Sequence, residues 1–203
     1  MYTVFVTGSL ASGKRSACLY LAEQGFTHID LDDMAKEFLN EELVQRQIMD
    51  VYGDDLLDET DGINRSLLAK RAFASEESTA ALNGIIWPLV NERLANLIVG
   101  NSCQFRSSED RLVVEIAMLA EGLTTVDLAD AVLCITADEG IRIERALARG
   151  MELADIKNRM ALQASDEERA QICDVIIENN GSLAQLHEKL ASWLESQQQE
   201  QMF

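Results

Sequence analysis

The sequence has few cysteines, few basic residues and no long apolar run. Its four cysteines contain no C-x-x-C pair, so a zinc site is not expected and a reducing cytoplasm is the predicted location; they are Cys18, Cys103, Cys134 and Cys173. No window approaches the length of a membrane-spanning helix, and no basic stretch followed by an apolar one opens the chain. These absences indicate a soluble, unprocessed protein with no membrane partner.

The shortage of basic residues gives a strongly acidic balance. Seventeen Lys and Arg stand against 35 Asp and Glu, for a formal net charge of -18. This balance argues against a nucleic-acid or anionic-membrane partner, since those surfaces require a net basic face. The acids are dispersed, so any local cluster of Lys and Arg is informative, and a phosphate-bearing ligand would require one.

Five short segments are predicted to be β-strands, with helical patterns between them: residues 2–7, 27–30, 111–117, 131–136 and 174–178. The runs at 111–117 and 131–136 are continuously apolar, which is typical of parallel strands covered on both faces. The middle of the chain, from residue 32 to about 100, is predicted to consist of helices, with clear breaks only at Gly53 and Gly62. The predicted fold class is therefore α/β, with a five-stranded parallel sheet between helical layers.

The first motif that carries chemistry runs from Gly8 to Lys14, with the sequence GSLASGK. It fits G-x-x-x-x-G-K directly after a predicted strand and before a predicted helix. Small residues let backbone N–H groups point at phosphate oxygens, the helix N-terminus adds its dipole, and the lysine reaches the outer phosphates. The alternative is a tight strand-to-helix turn with an incidental lysine.

Position 15 departs from this motif. A Ser or Thr normally follows the lysine and offers its hydroxyl oxygen to Mg²⁺, but Arg15 has no acceptor atom, and Ser16 lies about 100° further around the helix. Either Arg15 supplies a fixed cation at this position, or nucleotide turnover is impaired. A third account keeps Mg²⁺ on water, phosphates and acids elsewhere.

An acidic pair follows the second predicted strand, within the segment IDLDDMAK. Carboxyl ends of parallel strands gather at one edge of a sheet, so Asp32 is a candidate base that accepts a hydroxyl proton during attack on a phosphate. The alternative is that Asp32 or Asp33 caps the following helix. Lys36 and Arg65 are candidates for binding the anionic groups of a substrate. The alternative is that both are ordinary surface cations.

Three arginines at helical spacing form a candidate phosphate-binding face: Arg142, Arg145 and Arg149. The alternative is a solvated basic face that makes surface salt bridges. His28 and His187 lie far in sequence from a second type of ligand. Both are interpreted as incidental, and no metal-ligating residue is predicted.

Taken together, these motifs resemble the dephospho-coenzyme A kinase family. Further markers follow in order along nearly the whole chain: Tyr52–Gly53, Asp61 to Leu68, Ile86 to Val90, Glu115 to Glu121, Arg145 to Arg149, Gln163, and Asp174 to Gly181. Arg15, Trp87 and Ala117 stand where the family has Ser or Thr, His and Pro. These departures leave open a related kinase for another small-molecule hydroxyl, or a nucleotide-binding pseudokinase.

The resemblance implies a single P-loop kinase domain that uses ATP and Mg²⁺, with atypical Mg²⁺ ligation, to phosphorylate the ribose 3′-hydroxyl of dephospho-CoA. Its implied parts are a three-layer P-loop NTPase core (1–31 and 108–203), a helical substrate-binding insertion (32–107), a helical lid (about 118–130) and an arginine helix (138–150).

The resemblance and the motifs together suggest roles for individual residues. Lys14, Asp32 and Arg145 are the catalytic candidates. The nucleotide-binding candidates are Gly8, Ala11, Ser12, Gly13, Lys14, Arg15, Ser16, Arg149, Asn179 and Gly181. The substrate-binding candidates are Asp32, Lys36, Arg65 and Glu121.

Overall fold

The structure is a computed structural model that describes residues 2–58, 62–100, 110–116, 124–161, 163 and 165–200. The chain divides into two compact units. The first contains the described parts of residues 1–30, 103–120 and 126–203, and the second those of residues 31–102 and 121–125. The domain boundaries drawn from the sequence stay a prediction.

The five predicted strands are present and form one parallel sheet, in the order β2-β3-β1-β4-β5. They are β1 (Tyr2–Gly8), β2 (Phe26–Asp30), β3 (Arg111–Glu115), β4 (Ala131–Thr136) and β5 (Val175–Glu178). In register, Asp30 at the end of β2 pairs with Glu115 at the end of β3, and Glu115 pairs with Val6 of β1. The carboxyl ends of β2 and β3 therefore lie beside the end of β1.

Nine α-helices lie in the described ranges: α1 (Lys14–Glu23), α2 (Leu31–Phe38), α3 (Glu42–Tyr52), α4 (Arg65–Ala72), α5 (Glu76–Ala95), α6 (Glu139–Ala148), α7 (Leu153–Ala161), α8 (Asp166–Ala170) and α9 (Leu183–Glu200). Short 3₁₀ turns span Asp54–Leu56 and Thr124–Leu128, and α5 runs into a π-helical turn at Asn96–Gly100. None of the helices in these ranges combines the length and the apolar character that a membrane span requires.

Both faces of the sheet are buried, as the apolar strand sequences predict. On one face Val6 and Leu133 pack with Cys18 of α1 and Trp193 of α9. On the other, Phe5, Val114 and Cys134 are fully buried too, and α8 contacts β4. Strands apolar on both sides need helices on both sides to keep them from water, so the first unit is a three-layer α/β structure.

The second unit is a helical bundle. Helix α5 packs against α2, α3 and α4, and the apolar residues between the helices are buried: Phe38, Val44, Ile48, Leu68, Val90 and Leu94. Two helix starts are fixed by side-chain caps, since Asn64 accepts from the amide of Leu67 and Ser75 from that of Ser78. The predicted helical character of this stretch is confirmed.

Candidate active site

The segment from Gly8 to Gly13 forms a tight loop between β1 and α1. Three of its residues have positive φ, at 152° for Gly8, 58° for Ala11 and 110° for Gly13. Gly13 is the N-cap of α1, and Lys14 is its first residue. The loop therefore curls around the N-terminus of α1, whose first amides have no intrahelical carbonyl to bond and face an incoming anion instead.

Both glycines are sterically required. A Cβ at Gly8 would lie 2.2 Å from the carbonyl oxygen of Ile135, and a Cβ at Gly13 would lie 2.3 Å from Nδ2 of Asn179. Both are far below van der Waals contact. The two glycines therefore let the end of β4 and the turn after β5 lie directly against the loop.

Two side chains from the end of the chain hold the first half of the loop. Arg169, only 2% exposed, donates from Nη1 to Oγ of Ser9 over 2.7 Å. The amide of Leu10 donates to Oε1 of Gln163 at 2.8 Å. Arg169 is not among the predicted site residues, and only its place in an arginine-rich region hints at it. Gln163 is a family marker for which no role is predicted.

The second half of the loop is held by Asn179, which follows β5. Its Nδ2 donates to the carbonyl of Ser12 at 2.8 Å. The neighbouring Asn180 accepts from the amide of Asp138 at 2.8 Å, which connects this turn to the start of α6. Asn179 and Ser12, both predicted from the sequence, are therefore in direct contact.

The ammonium group of Lys14 folds back over the loop. It lies 2.8 Å from the carbonyl oxygen of Gly8 and 3.4 Å from that of Ser9. This position places a positive charge inside the same curl of backbone that carries the amide groups. The loop thus presents a cation and several N–H donors in one small volume, as a polyphosphate requires.

The arginines of α6 differ in exposure. Arg145 donates from Nη2 to the carbonyl of Gly181 at 3.1 Å, while its Nη1 is buried with no hydrogen-bond partner among the described residues. Nε of Arg142 and Oγ of Ser12 are likewise buried without a hydrogen-bond partner among the described residues. Buried donors without partners are costly, so these atoms fit a site for a phosphate anion. Arg149 instead follows the last turn of α6 and is exposed.

The side chain at position 15 points away from the loop interior. Arg15 is 65% exposed, and its Nη1 lies 3.3 Å from Oδ2 of Asp30 at the end of β2. Ser16 is half-buried. Asp30 was not among the predicted site residues, because strand pairing and helix packing, not sequence spacing, bring it to Arg15.

Beside this pair lies a cluster of three side chains from α1, β2 and β3. Nε2 of His28 is 3.1 Å from Oε2 of Glu115, and the ligand atoms of Cys18, His28 and Glu115 all lie within 4.8 Å of one another. His28 lies far in sequence from a second type of ligand, but the structure brings it beside Cys18 and Glu115. Parallel pairing of β2 with β3 joins residues that lie 87 positions apart in the chain.

Burial dominates the electrostatics of the cluster. It raises the pKa of the Glu115 carboxyl, and the negative charge of Asp30 raises it further, against smaller opposing effects of His28, Lys14 and Arg15. Burial likewise raises the pKa of the Cys18 thiol well above its ordinary value, and Glu115 adds to that effect. Cys18 is thus a neutral thiol, not a nucleophile.

The predicted substrate residues belong to the second unit or lie outside the described residues. Asp32 and Asp33 are exposed in the first turn of α2, and Asp33 accepts from Nζ of Lys36 at 2.7 Å. Arg65 is the first residue of α4 and is exposed. Glu121, and also Ala117 among the family departures, lie outside the described residues.

A parallel sheet whose first strand runs through a glycine-lysine loop into a helix, with buried arginine and serine donors beside it, defines a P-loop phosphotransferase. Comparison with known protein families identifies the family within this class. The family model for dephospho-CoA kinase matches residues 2–185. The chain belongs to the dephospho-CoA kinase family.

Individual relatives agree with the family match. The chain is 32% identical to a dephospho-CoA kinase of Fusobacterium nucleatum, over 94% of this chain and 96% of the relative. It is 30% identical to one of Corynebacterium glutamicum, over 92% of each. In fold it is similar to the dephospho-CoA kinase of Campylobacter jejuni, with a TM-score of 0.71, 23% identity and 95% of both chains covered. The predicted family, fold class and kinase activity are confirmed.

Proposed function

We propose that this protein transfers the γ-phosphoryl group of ATP to the ribose 3′-hydroxyl of dephospho-CoA, and so completes coenzyme A. The observation that carries the proposal is the phosphate loop, whose glycines have no room for a side chain. Gln163 and Asn179 hold the backbone of the loop, and Arg169 holds the hydroxyl of Ser9. A preorganised array of donors costs no reorganisation when charge develops during transfer.

The nucleotide is bound by the loop and by the turn after β5. The amides at the start of α1 and Lys14 bind the β- and γ-phosphates, with Ser12 adding its hydroxyl. Asn179 and Gly181 lie near the base. Since the Asn179 side chain also bonds the carbonyl of Ser12, binding of the base and shape of the phosphate loop depend on one residue. Ala11, Arg15, Ser16 and Arg149 complete the proposed nucleotide-binding set.

Arg145 stabilises the transferring phosphoryl group. Its Nη2 donates to the carbonyl of Gly181, and this bond orients the guanidinium. Its Nη1 is buried with no partner among the described residues. That second nitrogen donates to the phosphoryl oxygens, whose negative charge spreads in the transition state. An exposed arginine would be screened by water and would contribute less.

Asp32 accepts the proton of the ribose hydroxyl and orients that oxygen for in-line attack. Lys36, Arg65 and Glu121 complete the proposed substrate-binding set, with the two cations directed at the anionic groups of dephospho-CoA. Asp32 is the second residue of α2 and is exposed.

Magnesium, when bound with ATP, neutralises phosphate charge. The nearby donor set suits a hard cation only in part: Asp30 offers carboxylate oxygens at the end of β2, but Arg15 pairs with it and replaces the usual hydroxyl ligand. Asp30 would hold the ion together with phosphate oxygens and waters, since Mg²⁺ keeps several waters in most protein sites.

The test is an assay of the purified protein with ATP, Mg²⁺ and dephospho-CoA, with ADP and coenzyme A measured separately by chromatography. We expect both products in equal amounts. Asp32→Asn lowers kcat about 10²–10⁴-fold with little change in KM, whereas the neighbouring Asp33→Asn retains most activity. No coenzyme A from folded enzyme at high concentration, or equal losses in the two variants, would contradict the proposal or the role of Asp32, respectively.

A further inference from the structure

The cluster of Cys18, His28 and Glu115 has no role in the proposed phosphotransfer. Each residue comes from a different element, namely α1, β2 and β3, and each directs one potential ligand atom at the other two within 4.8 Å. An imidazole nitrogen, a sulfur and a carboxylate oxygen therefore converge on one point of the first unit. His28 and Glu115 pair with each other at 3.1 Å, which offsets the cost of burying polar groups, and the thiol of Cys18 adds a third donor atom at the same point.

The types of donor atom select the kind of ligand. Nitrogen, sulfur and oxygen together are the donor set of Zn²⁺ and chemically similar cations, whereas Mg²⁺ and Ca²⁺ take oxygen ligands alone. Zinc-to-ligand bonds of about 2.0–2.3 Å place ligand atoms roughly 3.5 Å apart in a tetrahedral site. Donor atoms within 4.8 Å of one another can reach that spacing by small side-chain rotations. Three protein ligands leave the fourth position to water.

The surroundings also suit a dication. Cys18 is fully buried, and the side chains of His28 and Glu115 are 17% and 10% exposed, so the site is nearly dry. With Cys18 ionised by the metal, it and the carboxylates of Glu115 and Asp30 carry three negative charges against two positive charges on Lys14 and Arg15. Binding displaces the proton of the Cys18 thiol, since metal ligands must be deprotonated.

We propose that Cys18, His28 and Glu115 bind one thiophilic divalent cation, with Zn²⁺ as the best fit, at a site distinct from the magnesium that accompanies ATP. The ion cross-links α1 to β2 and β3. Because Cys18 lies one helical turn after Lys14, the bound cation fixes the helix that carries the phosphate loop. This proposal does not depend on which substrate the kinase phosphorylates.

The test uses tag-free, full-length protein stripped with a chelator and dialysed against Zn²⁺, with bound metal measured by mass spectrometry. We expect one tightly bound zinc per chain and a higher Tm, since a ligand that binds only the folded state stabilises it. Co²⁺ in place of Zn²⁺ should give the near-ultraviolet thiolate-to-cobalt charge-transfer band. Excess Mg²⁺ should displace neither ion.

Matched variants identify the ligands. Cys18→Ser, His28→Gln and Glu115→Gln should each weaken zinc binding about tenfold or more, and Cys18→Ser should remove the charge-transfer band. Cys173→Ser and His187→Gln, which change the same residue types elsewhere in the first unit, should bind zinc like the wild type. Circular dichroism checks that each variant folds. Absence of stoichiometric zinc in the wild type, or unchanged binding by folded Cys18→Ser and His28→Gln, overturns the proposal.

Discussion

The phosphate loop and the residues that flank it on the side of β2 and β3 are built differently. From Gly8 to Lys14, the loop is held by side chains that lie between 153 and 167 positions further along the chain, two of them bonded to its backbone and one to the hydroxyl of Ser9. On the other side, Arg15 is largely exposed and makes a 3.3 Å contact with Asp30, beside the cluster of Cys18, His28 and Glu115. The first region is a loop held by distant side chains, and the second is a set of side chains that contact one another.

This difference explains why one motif can be intact at one end and altered at the other. A substitution within the loop meets backbone or a buried donor within 2.3 Å, as at Gly8 and Gly13. A substitution at position 15 meets solvent. The fold therefore fixes phosphate binding more strictly than it fixes the manner in which a cation accompanies the phosphates.

The largest expected effect is a fall in kcat when a positive charge is removed from the phosphate loop or from α6. Lys14→Ala and Arg145→Ala should each lower kcat about 10²–10³-fold, because each removes a donor aimed at developing phosphate charge. Arg149→Ala, at the exposed end of the same helix as Arg145, is the control and should change kcat far less. Steady-state kinetics measure all three. Equal losses in Arg145→Ala and Arg149→Ala would show that burial does not distinguish the two arginines.

A second comparison uses one arginine from each region. Arg169→Met should lower the free energy of unfolding by about 1.5–3 kcal/mol, since it removes a charge-assisted hydrogen bond to buried Ser9, and should weaken ATP binding. Arg15→Met, at an exposed position, should leave stability nearly unchanged. Urea unfolding and calorimetric titration with ATP report the two properties. A stable Arg169→Met variant with normal ATP affinity would mean that the loop keeps its shape without this contact.

The third prediction concerns how Mg²⁺ is bound beside the phosphates. Arg15→Thr restores a hydroxyl after the lysine and releases Asp30, so it should raise Mg²⁺-dependent turnover, by up to about tenfold for one added metal ligand. The measurement is kcat as a function of free Mg²⁺, with Arg15→Val as a control of the same shape that lacks the hydroxyl. If neither the variant nor the wild type responds to Mg²⁺ while ATP still binds, the protein is a nucleotide-binding pseudokinase.

The smallest effect is expected within the second unit, at a different arginine–aspartate pair. Arg71 holds Asp55 with two hydrogen bonds, of 2.7 and 2.6 Å, and these lower the pKa of the Asp55 carboxyl. The folded state thus binds this proton more weakly than the unfolded state, so the pair stabilises the fold above the unfolded pKa of Asp55 and ceases to do so as the pH falls through its folded pKa.

Asp55→Asn should therefore be slightly less stable than the wild type at neutral pH, and the difference should vanish in acid. Urea unfolding at several pH values measures it, and kinase activity should stay unchanged. A stability difference that persists in acid would assign the effect of the substitution to something other than the carboxylate charge.

The sequence by itself determined the local features of this protein. Apolar runs fixed the five strands, and the loop from Gly8 to Lys14 fixed the kind of ligand, because strand burial and phosphate binding each depend on residues close together in the chain. Ordered markers from Tyr52 to Gly181 determined the family. The resemblance to the family also pointed to Asn179, although it gave no reason for its position.

Only the tertiary structure decided which distant side chains meet. The contact of Arg169 with Ser9, the pairing of Arg15 with Asp30 and the cluster around His28 all depend on strand register and on helices packed over the sheet. Register comes from burying whole strand faces together, a property of many residues at once. No pattern near His28 could have revealed that Glu115, 87 positions away, would be its partner.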